Sequence, residues 1–335
     1  MLAIDESGSS RRVARRDAMT DARCWILTDG TPGMENQCRG LAEHLGFEPV
    51  VKRARLRPPW SWAPPRLAVR PLAGLAPSSD GITPPWPRLL IASGRASVAL
   101  SIAIRRRAGG ATFTVQIQNP TVPVDRFDLV VTPRHDGLRG ANVLATRGAL
   151  NRVRPDLLAR EAARFGDRVA DLPRPLIAVL VGGASRAARF TPDRVEALVQ
   201  GLRAVSAGSR AGLAVTPSRR TGRALAAALT RGLADRPAVI WDGAGANPYL
   251  GWLGLADGFV VTSDSVNMVS EAATTGKPVQ VFDVTRGSAK FERFHAALRA
   301  DGVTRPFQGR LERWTYAPLD DTARVAAAVR QRARI

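Results

Sequence analysis

Cysteine is scarce in this 335-residue chain. Cys24 and Cys38 are too few for a disulfide framework and lack the spacing of a metal site. Histidine is equally sparse: His44, His135 and His295 stand apart, with no HxxxH and no CxxC, so no zinc or other metal is expected and a reducing compartment fits. Lysine occurs only at Lys52, Lys277 and Lys290. No apolar run approaches the roughly 18 residues that cross a bilayer. The opening stretch "MLAIDESGSSRRVARRDAMTDAR" carries basic residues but no apolar segment behind them. A secretory signal is therefore not expected there, and residues 1–22 read as a flexible N-terminal tail.

What remains is 45% hydrophobic and 23% charged, the composition of a globular protein with about two domains' worth of chain. The net charge of +20 invites nucleic acid, an anionic membrane or a phosphorylated ligand. The Arg clusters (Arg11 to Arg16, Arg105 to Arg107, Arg219 to Arg223) have no aromatic residues interleaved for base stacking. Nucleic acid is not expected; a basic face for phosphates or anionic lipid is. The preference for Arg over Lys, with abundant Ala, also reads as coding bias.

From residue 24 the chain alternates short apolar runs with segments of helical spacing. "CWILT", "RLLIASG", "ATFTVQIQNP" and "FDLVVTPRHDG" read as strands, as do "PLIAVLVGG", "AGLAVTPS", "PAVIWDG", "DGFVVTSDS" and "KPVQVFDV". Helices of about 10–15 residues lie between them. This pattern predicts an α/β protein of two doubly wound, Rossmann-like domains facing a cleft. The expected division is an N-terminal domain over 23–168, a C-terminal domain over 169–318 and a closing helix over 319–335. One stretch departs from the alternation. Residues 57–87 are rich in Pro and Trp, too broken by proline for a helix and long for a simple connection. Its tryptophans Trp60, Trp62 and Trp86, with Arg55, Arg57, Arg66 and Arg70, either dock on a membrane surface or pack beneath the loop.

Ligands of such sheets sit beyond the carboxyl ends of the strands, so the polar strand exits are where chemistry is expected. The most informative is "VVTSDSVNMVSEAATTGKPVQVF" (260–282). Ser263, Asp264 and Ser265 precede a helix whose free amides and positive dipole end suit a phosphate. They equally suit an ordinary N-cap. At about 100° per residue, Val266, Val269 and Ala273 form the core stripe, while Asp264, Asn267 and Glu271 share the other side. Glu271 lies about 9 Å along the axis from Ser265, too far in for capping. It is either a ligand for sugar hydroxyls or a solvated helix glutamate.

The 260–282 stretch resembles the donor-nucleotide motif of GT-B glycosyltransferases, S-x-x-E-A-x-x-x-G-K-P. That resemblance implies Glu271 on the ribose hydroxyls and Ser263, Asp264, Ser265 and Asn267 near the diphosphate, with Gly182, Gly183, Ser185 and Arg186 on the facing turn. Together "WILTDGTPGMENQCRGLAEHLG", "IASGR", "QIQNP", "TPRHDG" and "NPYLGWLGLADGFVVTSDSVNMVSEA" resemble the mitochondrial fission ELM-type family over roughly residues 24–315. The family implies a GT-B-like fold. Its plant members are discussed as adaptors in mitochondrial fission, and its bacterial members carry labels of sugar-nucleotide enzymes. The composition here suggests a bacterium.

If the C-terminal half holds the nucleotide, the N-terminal half faces an acceptor. Gly30, Gly33, Asn36 and Gln37 crowd the first strand exit, and Arg95 and Asn119 end two others. The turn "DGTPGMEN" is not the dinucleotide fingerprint, which argues against a nicotinamide enzyme. Asp29 and His135 are the candidate general bases. The expectation is a metal-independent glycosyltransferase, cytoplasmic or peripheral at the inner membrane. It would have no cofactor beyond its nucleotide-sugar substrate, and an envelope-type acceptor. A non-catalytic adaptor and a sugar-nucleotide epimerase are the alternatives.

Overall fold

A computed structural model describes residues 24–185, 188–284 and 288–335; the tail expected over 1–22 and Arg186 lie outside them. The described chain divides into two compact units. One comprises 24–146, 150–152 and 321–335, and the other 147–149 and 153–320. Among the described residues no helix is long and apolar enough to cross a membrane.

The first unit runs β1 (Cys24–Thr28), α1 (Pro32–His44), β2 (Val50–Arg53), β3 (Leu89–Ser93), α2 (Arg95–Arg107), β4 (Phe113–Ile117), β5 (Leu129–Pro133) and β6 (Val143–Thr146). Its strands are all parallel, in the order β2-β1-β3-β4-β5-β6. Every residue of β1 and β3 is buried, as strands covered by helices on both faces must be, whereas edge strand β2 is half-buried. Cys24 and Cys38 are free thiols within this core, and burial pushes the Cys24 thiol up to about 12.

The second unit runs α3 (Pro155–Phe165), β7 (Leu176–Val181), α4 (Pro192–Ser209), β8 (Gly212–Pro217), α5 (Gly222–Gly232), β9 (Ala238–Ile240), α6 (Tyr249–Leu255), β10 (Gly258–Thr262), α7 (Val266–Thr274), β11 (Val279–Phe282), α8 (Ala289–Ala300) and β12 (Thr304–Pro306). Its parallel order is β12-β11-β10-β7-β8-β9. Each unit is therefore a doubly wound sheet. The strand order reverses between β1 and β3 in the first unit and between β7 and β10 in the second, which makes the exits of those strands the expected ligand positions. The edge strand β12 carries no strong sequence signal, being three residues long.

The division between units differs from a cut near 168. Helix α3 belongs to the second unit, where it packs on α6 across two glycines. A Cβ at Gly251 would lie 2.6 Å from the Glu161 carbonyl, and one at Gly254 2.9 Å from that of Leu158. The closing helix α9 (Asp321–Ala333) returns to the first unit, where Val325, Ala326 and Val329 join Cys38, Leu41 and Ala42 in one core. An apolar stripe says that a helix must be covered but not by which sheet.

The Pro- and Trp-rich stretch is folded. Its neck closes where Leu56 bridges Leu75 and the Arg57 amide donates to the Gly74 carbonyl at 2.9 Å. Trp60 anchors it from within: its indole N–H donates to the Val69 carbonyl at 2.7 Å, and its ring lies on Gly74, leaving no room for a Cβ. Trp86 packs edge-on against Trp25, ring centroids 6.2 Å apart.

Candidate functional site

At the reversal point of the first sheet a cavity of about 600 Å³ opens beyond β1 and β3. Asp29, Gly30 and Thr31 line it from the exit of β1, Arg95 and Ala96 from the start of α2, and Arg55, Leu56, Trp60 and Ala63 from the Pro/Trp loop. Asp29 closes a tight turn by accepting from the Thr31 amide at 2.9 Å. Gly94, at φ +96°, sits against Met34 and 3.9 Å from the Asp29 carboxylate, measured from where its Cβ would be. Arg95 joins the lining with its guanidinium 3.5 Å from the Ala63 carbonyl.

The other residues expected on the acceptor side lie outside this lining. Gly33, Asn36 and Gln37 are on α1, with Gln37 buried. Their neighbour Glu35 is held below the ordinary carboxylate range by hydrogen bonds from Arg53 and, more weakly, Arg39. Asn119 is exposed and accepts from the Thr121 amide at 2.9 Å, a turn-forming role. His135 Nε2 stands 3.7 Å from Asp136 Oδ1, and the Thr132 hydroxyl donates to the other Asp136 oxygen at 3.2 Å. The adjacent His and Asp thus meet, in a short helical turn after β5.

The reversal point of the second sheet is crowded. The Gly182 amide donates to the Thr262 hydroxyl at 2.8 Å, and the Gly183 amide to Asp264 Oδ2 at 2.9 Å. Asp264 also accepts from the Thr262 hydroxyl at 2.7 Å and from the Arg220 guanidinium at 3.1 Å. Its side chain is fully buried, and burial raises its carboxyl above the ordinary value despite these donors. A Cβ at Gly182 would fall 2.1 Å from Asp264 Oδ2, and one at Gly183 would fall 2.0 Å from the Arg220 carbonyl. The two glycines are there because Asp264 and the Arg220 backbone press on them. The Asp264 carboxylate thus supports the glycine turn.

Ser263 is likewise engaged. Its hydroxyl donates to Asp283 at 2.9 Å and accepts from the Val284 amide at 2.8 Å. Its carbonyl accepts from His295 Nε2 at 2.8 Å. A carbonyl only accepts, so the imidazole proton is on Nε2. Ser265 is the N-cap of α7, accepting from the Met268 amide at 3.3 Å, and is half-buried with Asn267. Ser185 is exposed on the glycine turn. In the sequence Arg220 is one of a run of charges, with no sign of the partner it meets. Its guanidinium is half-exposed, and with Arg219 and Arg223 it brings positive charge to the start of α5.

Glu271 is not a solvated glutamate: it is 9% exposed, and the Tyr249 hydroxyl at the start of α6 donates to its carboxylate. Burial, and then the adjacent carboxylate, hold the Tyr249 hydroxyl well above its ordinary value. The signal for Tyr249 was the "NPY" that opens α6, a feature that points to no partner by itself. The rest of the motif is scaffold. Gly276, at φ +76°, ends α7, and the Lys277 ammonium donates to the Gly254 and Ala256 carbonyls at 2.7 and 2.6 Å, closing α6.

The family profile described as "Mitochondrial fission ELM1" matches residues 32–333. The mitochondrial fission protein ELM1 of Arabidopsis thaliana is 31% identical, over 98% of this chain and 93% of that protein. Among solved structures, the UDP-GlcNAc 2-epimerase from Methanocaldococcus jannaschii superimposes with a TM-score of 0.51 at 10% identity, covering 91% of each chain. Os79 from O. sativa, in complex with UDP, gives 0.50 at 12% identity, covering 93% of this chain and 94% of its own. At these identities the structural likeness is one of fold.

Proposed function

The chain belongs to the mitochondrial fission ELM1 family, and on its GT-B-like α/β framework we propose that the second unit binds a nucleotide sugar whose sugar is transferred to an acceptor held in the first unit. The observation that carries this reading is Glu271. It is a buried carboxylate two turns into the helix that starts at the reversal point, oriented by Tyr249 rather than spent on solvent. It sits where a ribose would meet it if the diphosphate rests at the helix start. Solved structures of the same fold support the ligand class: Os79 was captured with UDP, as was the S. aureus protein MnaA.

In this reading the parts divide around Asp264. Ser265, Ser185, the upper face of the Gly182–Gly183 turn and the free side of Arg220 face the diphosphate. Asn267 lies beside them. Asp264 holds the glycine turn in shape, while Ser263 ties the exit of β10 to that of β11. The positive end of α7 and the Arg220 guanidinium then stabilise charge on the departing diphosphate, with the nucleotide sugar as substrate and no resident cofactor. In the first unit Asp29, at the cavity lined by Arg95 and Gly30, is the general base for an acceptor hydroxyl. The reaction is assigned to the cytoplasm.

Calorimetric titration with UDP and UDP-sugars tests the binding, with Glu271→Ala as the comparison. Saturable binding lost in the variant supports the reading; no binding by either protein overturns it. The filled turn favours one other reading, a non-catalytic interaction protein, because Thr262 and Asp264 already satisfy the Gly182 and Gly183 amides that a phosphate would use. Such a protein binds none of these nucleotides. An epimerase would instead interconvert a free sugar nucleotide with no acceptor present.

A further inference from the structure

Among the described residues the exposed large hydrophobic side chains are Trp62, Leu67 and Val69, at 76%, 62% and 74% exposure. All three lie within eight residues of one loop, the folded Pro/Trp excursion between Leu56 and Leu75. Large apolar side chains held in water at a single place mark a contact surface. The loop is built to keep them there. Trp60 ties Val69 back by its indole hydrogen bond, and the backbone amides of Trp62 and Ala63 turn onto the Pro59 carbonyl at 3.1 Å. Its neck is closed by the Leu56–Leu75 bridge, so the tip is preorganised rather than loose.

The charge on this loop selects the partner. From residue 49 to residue 79 the chain carries no Asp or Glu, while Arg55, Arg57, Arg66 and Arg70 are all exposed. Arg66 and Arg70 form no ion pair among the described residues. Tryptophan favours the bilayer interface, aliphatic tips favour the acyl boundary, and arginine is drawn to anionic headgroups while its stem packs on apolar surface. A protein partner would need an apolar groove ringed by acid; an anionic bilayer supplies both features everywhere on its surface.

We propose that the loop tip around Trp62, Leu67 and Val69 docks on an anionic lipid bilayer, with Arg66 and Arg70 on the headgroups. The underside of the same loop contributes Trp60, Ala63 and Ala68 to the wall of the cavity that holds Asp29 and Arg95. Docking therefore brings the mouth of that cavity to the membrane, where an acceptor anchored in lipid is delivered to it. The docking does not rest on nucleotide binding in the second unit.

The test is flotation of the full chain with vesicles of phosphatidylcholine, with and without phosphatidylglycerol. Binding is expected only with the anionic lipid and is weakened by salt. Trp62→Ala is expected to lose about tenfold in partitioning. The charge reversal Arg66→Glu, removing one attraction and adding one repulsion of about a kilocalorie each, is expected to lose about thirtyfold. Both side chains are exposed, so melting temperatures stay at the wild-type value, which separates docking from folding. Arg194→Glu, an equal change of charge at an exposed position of α4 in the second unit, leaves binding within about twofold of wild type. Failure to bind anionic vesicles overturns the proposal. So does an equal loss from Arg194→Glu, or indifference to Trp62→Ala, either of which marks general attraction to a cation. A protein captured through Trp62 by a chain that ignores vesicles overturns it as well. UDP titration of Trp62→Ala is unchanged, so the two readings fail separately.

Discussion

The Tyr249 hydroxyl at the first turn of α6 donates to the carboxylate of Glu271, deep in α7. The two helices flank β10, so this bond links the short helix before the strand to the helix after it. Tyr249→Phe removes a donor to a charged group and is expected to cost about 1.5–3 kcal/mol of stability. In a double-mutant cycle with Glu271→Gln, measured by denaturant unfolding, the pair should show a coupling of about 1 kcal/mol or more. Additive losses would mean that the bond contributes nothing. Under the nucleotide reading Tyr249→Phe also weakens UDP binding, because the carboxylate loses its orientation.

The glycine turn gives a sharper test of how Asp264 is used. Gly182→Ala drives a methyl into the Asp264 carboxylate, and Gly183→Ala drives one into the Arg220 backbone. Each is expected to destabilise by about 1–3 kcal/mol or more. Adding Asp264→Ala should relieve the first and not the second, since the obstacle to the second is main chain. Thermal unfolding of the two double variants decides it, and equal rescue of both would contradict the packing described.

His295 makes stability depend on pH. It is held below its ordinary value, first by burial and then by Arg299, against the opposing pull of the Ser263 carbonyl and of Asp283 and Asp264. The unfolded chain takes up this proton near pH 6.5, about the ordinary value, and the folded chain only at lower pH. Between the two the unfolded state binds more protons. The contribution of His295 is thus fully present above about pH 6.5 and is lost as pH falls towards the folded value, with a slope of at most about 1.4 kcal/mol per pH unit. Comparing urea midpoints across this range, wild type should lose more than His295→Gln; parallel curves would remove the imidazole as the cause.

Helix α9 is the last element of the chain and part of the core of the first unit. Val325→Asp places a carboxylate against Leu41 and Ala42 and is expected to cost about 3 kcal/mol or more. Hydrogen exchange locates the damage. Amides of β1 and β3 should lose protection while those of β7 and β10 keep theirs, and uniform loss would show that the two units unfold as one.

Much of the architecture was legible along the chain. Apolar runs such as "CWILT" and "PLIAVLVGG" can only be strands buried on both faces, and their alternation with helical segments dictates parallel, doubly wound sheets. The strand exits were therefore the expected ligand positions, and Asp29, Gly30 and Arg95, from the exits of β1 and β3, line one cavity. Gly33, Asn36 and Gln37 were grouped with them by proximity in sequence, and Asn119 as the exit of another strand. A helix sends successive side chains in different directions, so neighbours on α1 do not share a cavity.

Periodicity and composition by themselves determined which segments are strands and helices, because burial of one face or both is written into the order of residues. Only the tertiary structure decided what each side chain meets. Asp264 proved to be a buried support for a glycine turn because two close-packed main chains leave it no path to solvent. Glu271 proved to be buried because Tyr249, 22 residues earlier in the chain, closes over it. The scaffolding α3 and α9 likewise crossed between units because an apolar stripe specifies that it must be covered but not by whom. Local sequence encodes which surface to bury; the partner is set by loops and packing that act across the whole chain.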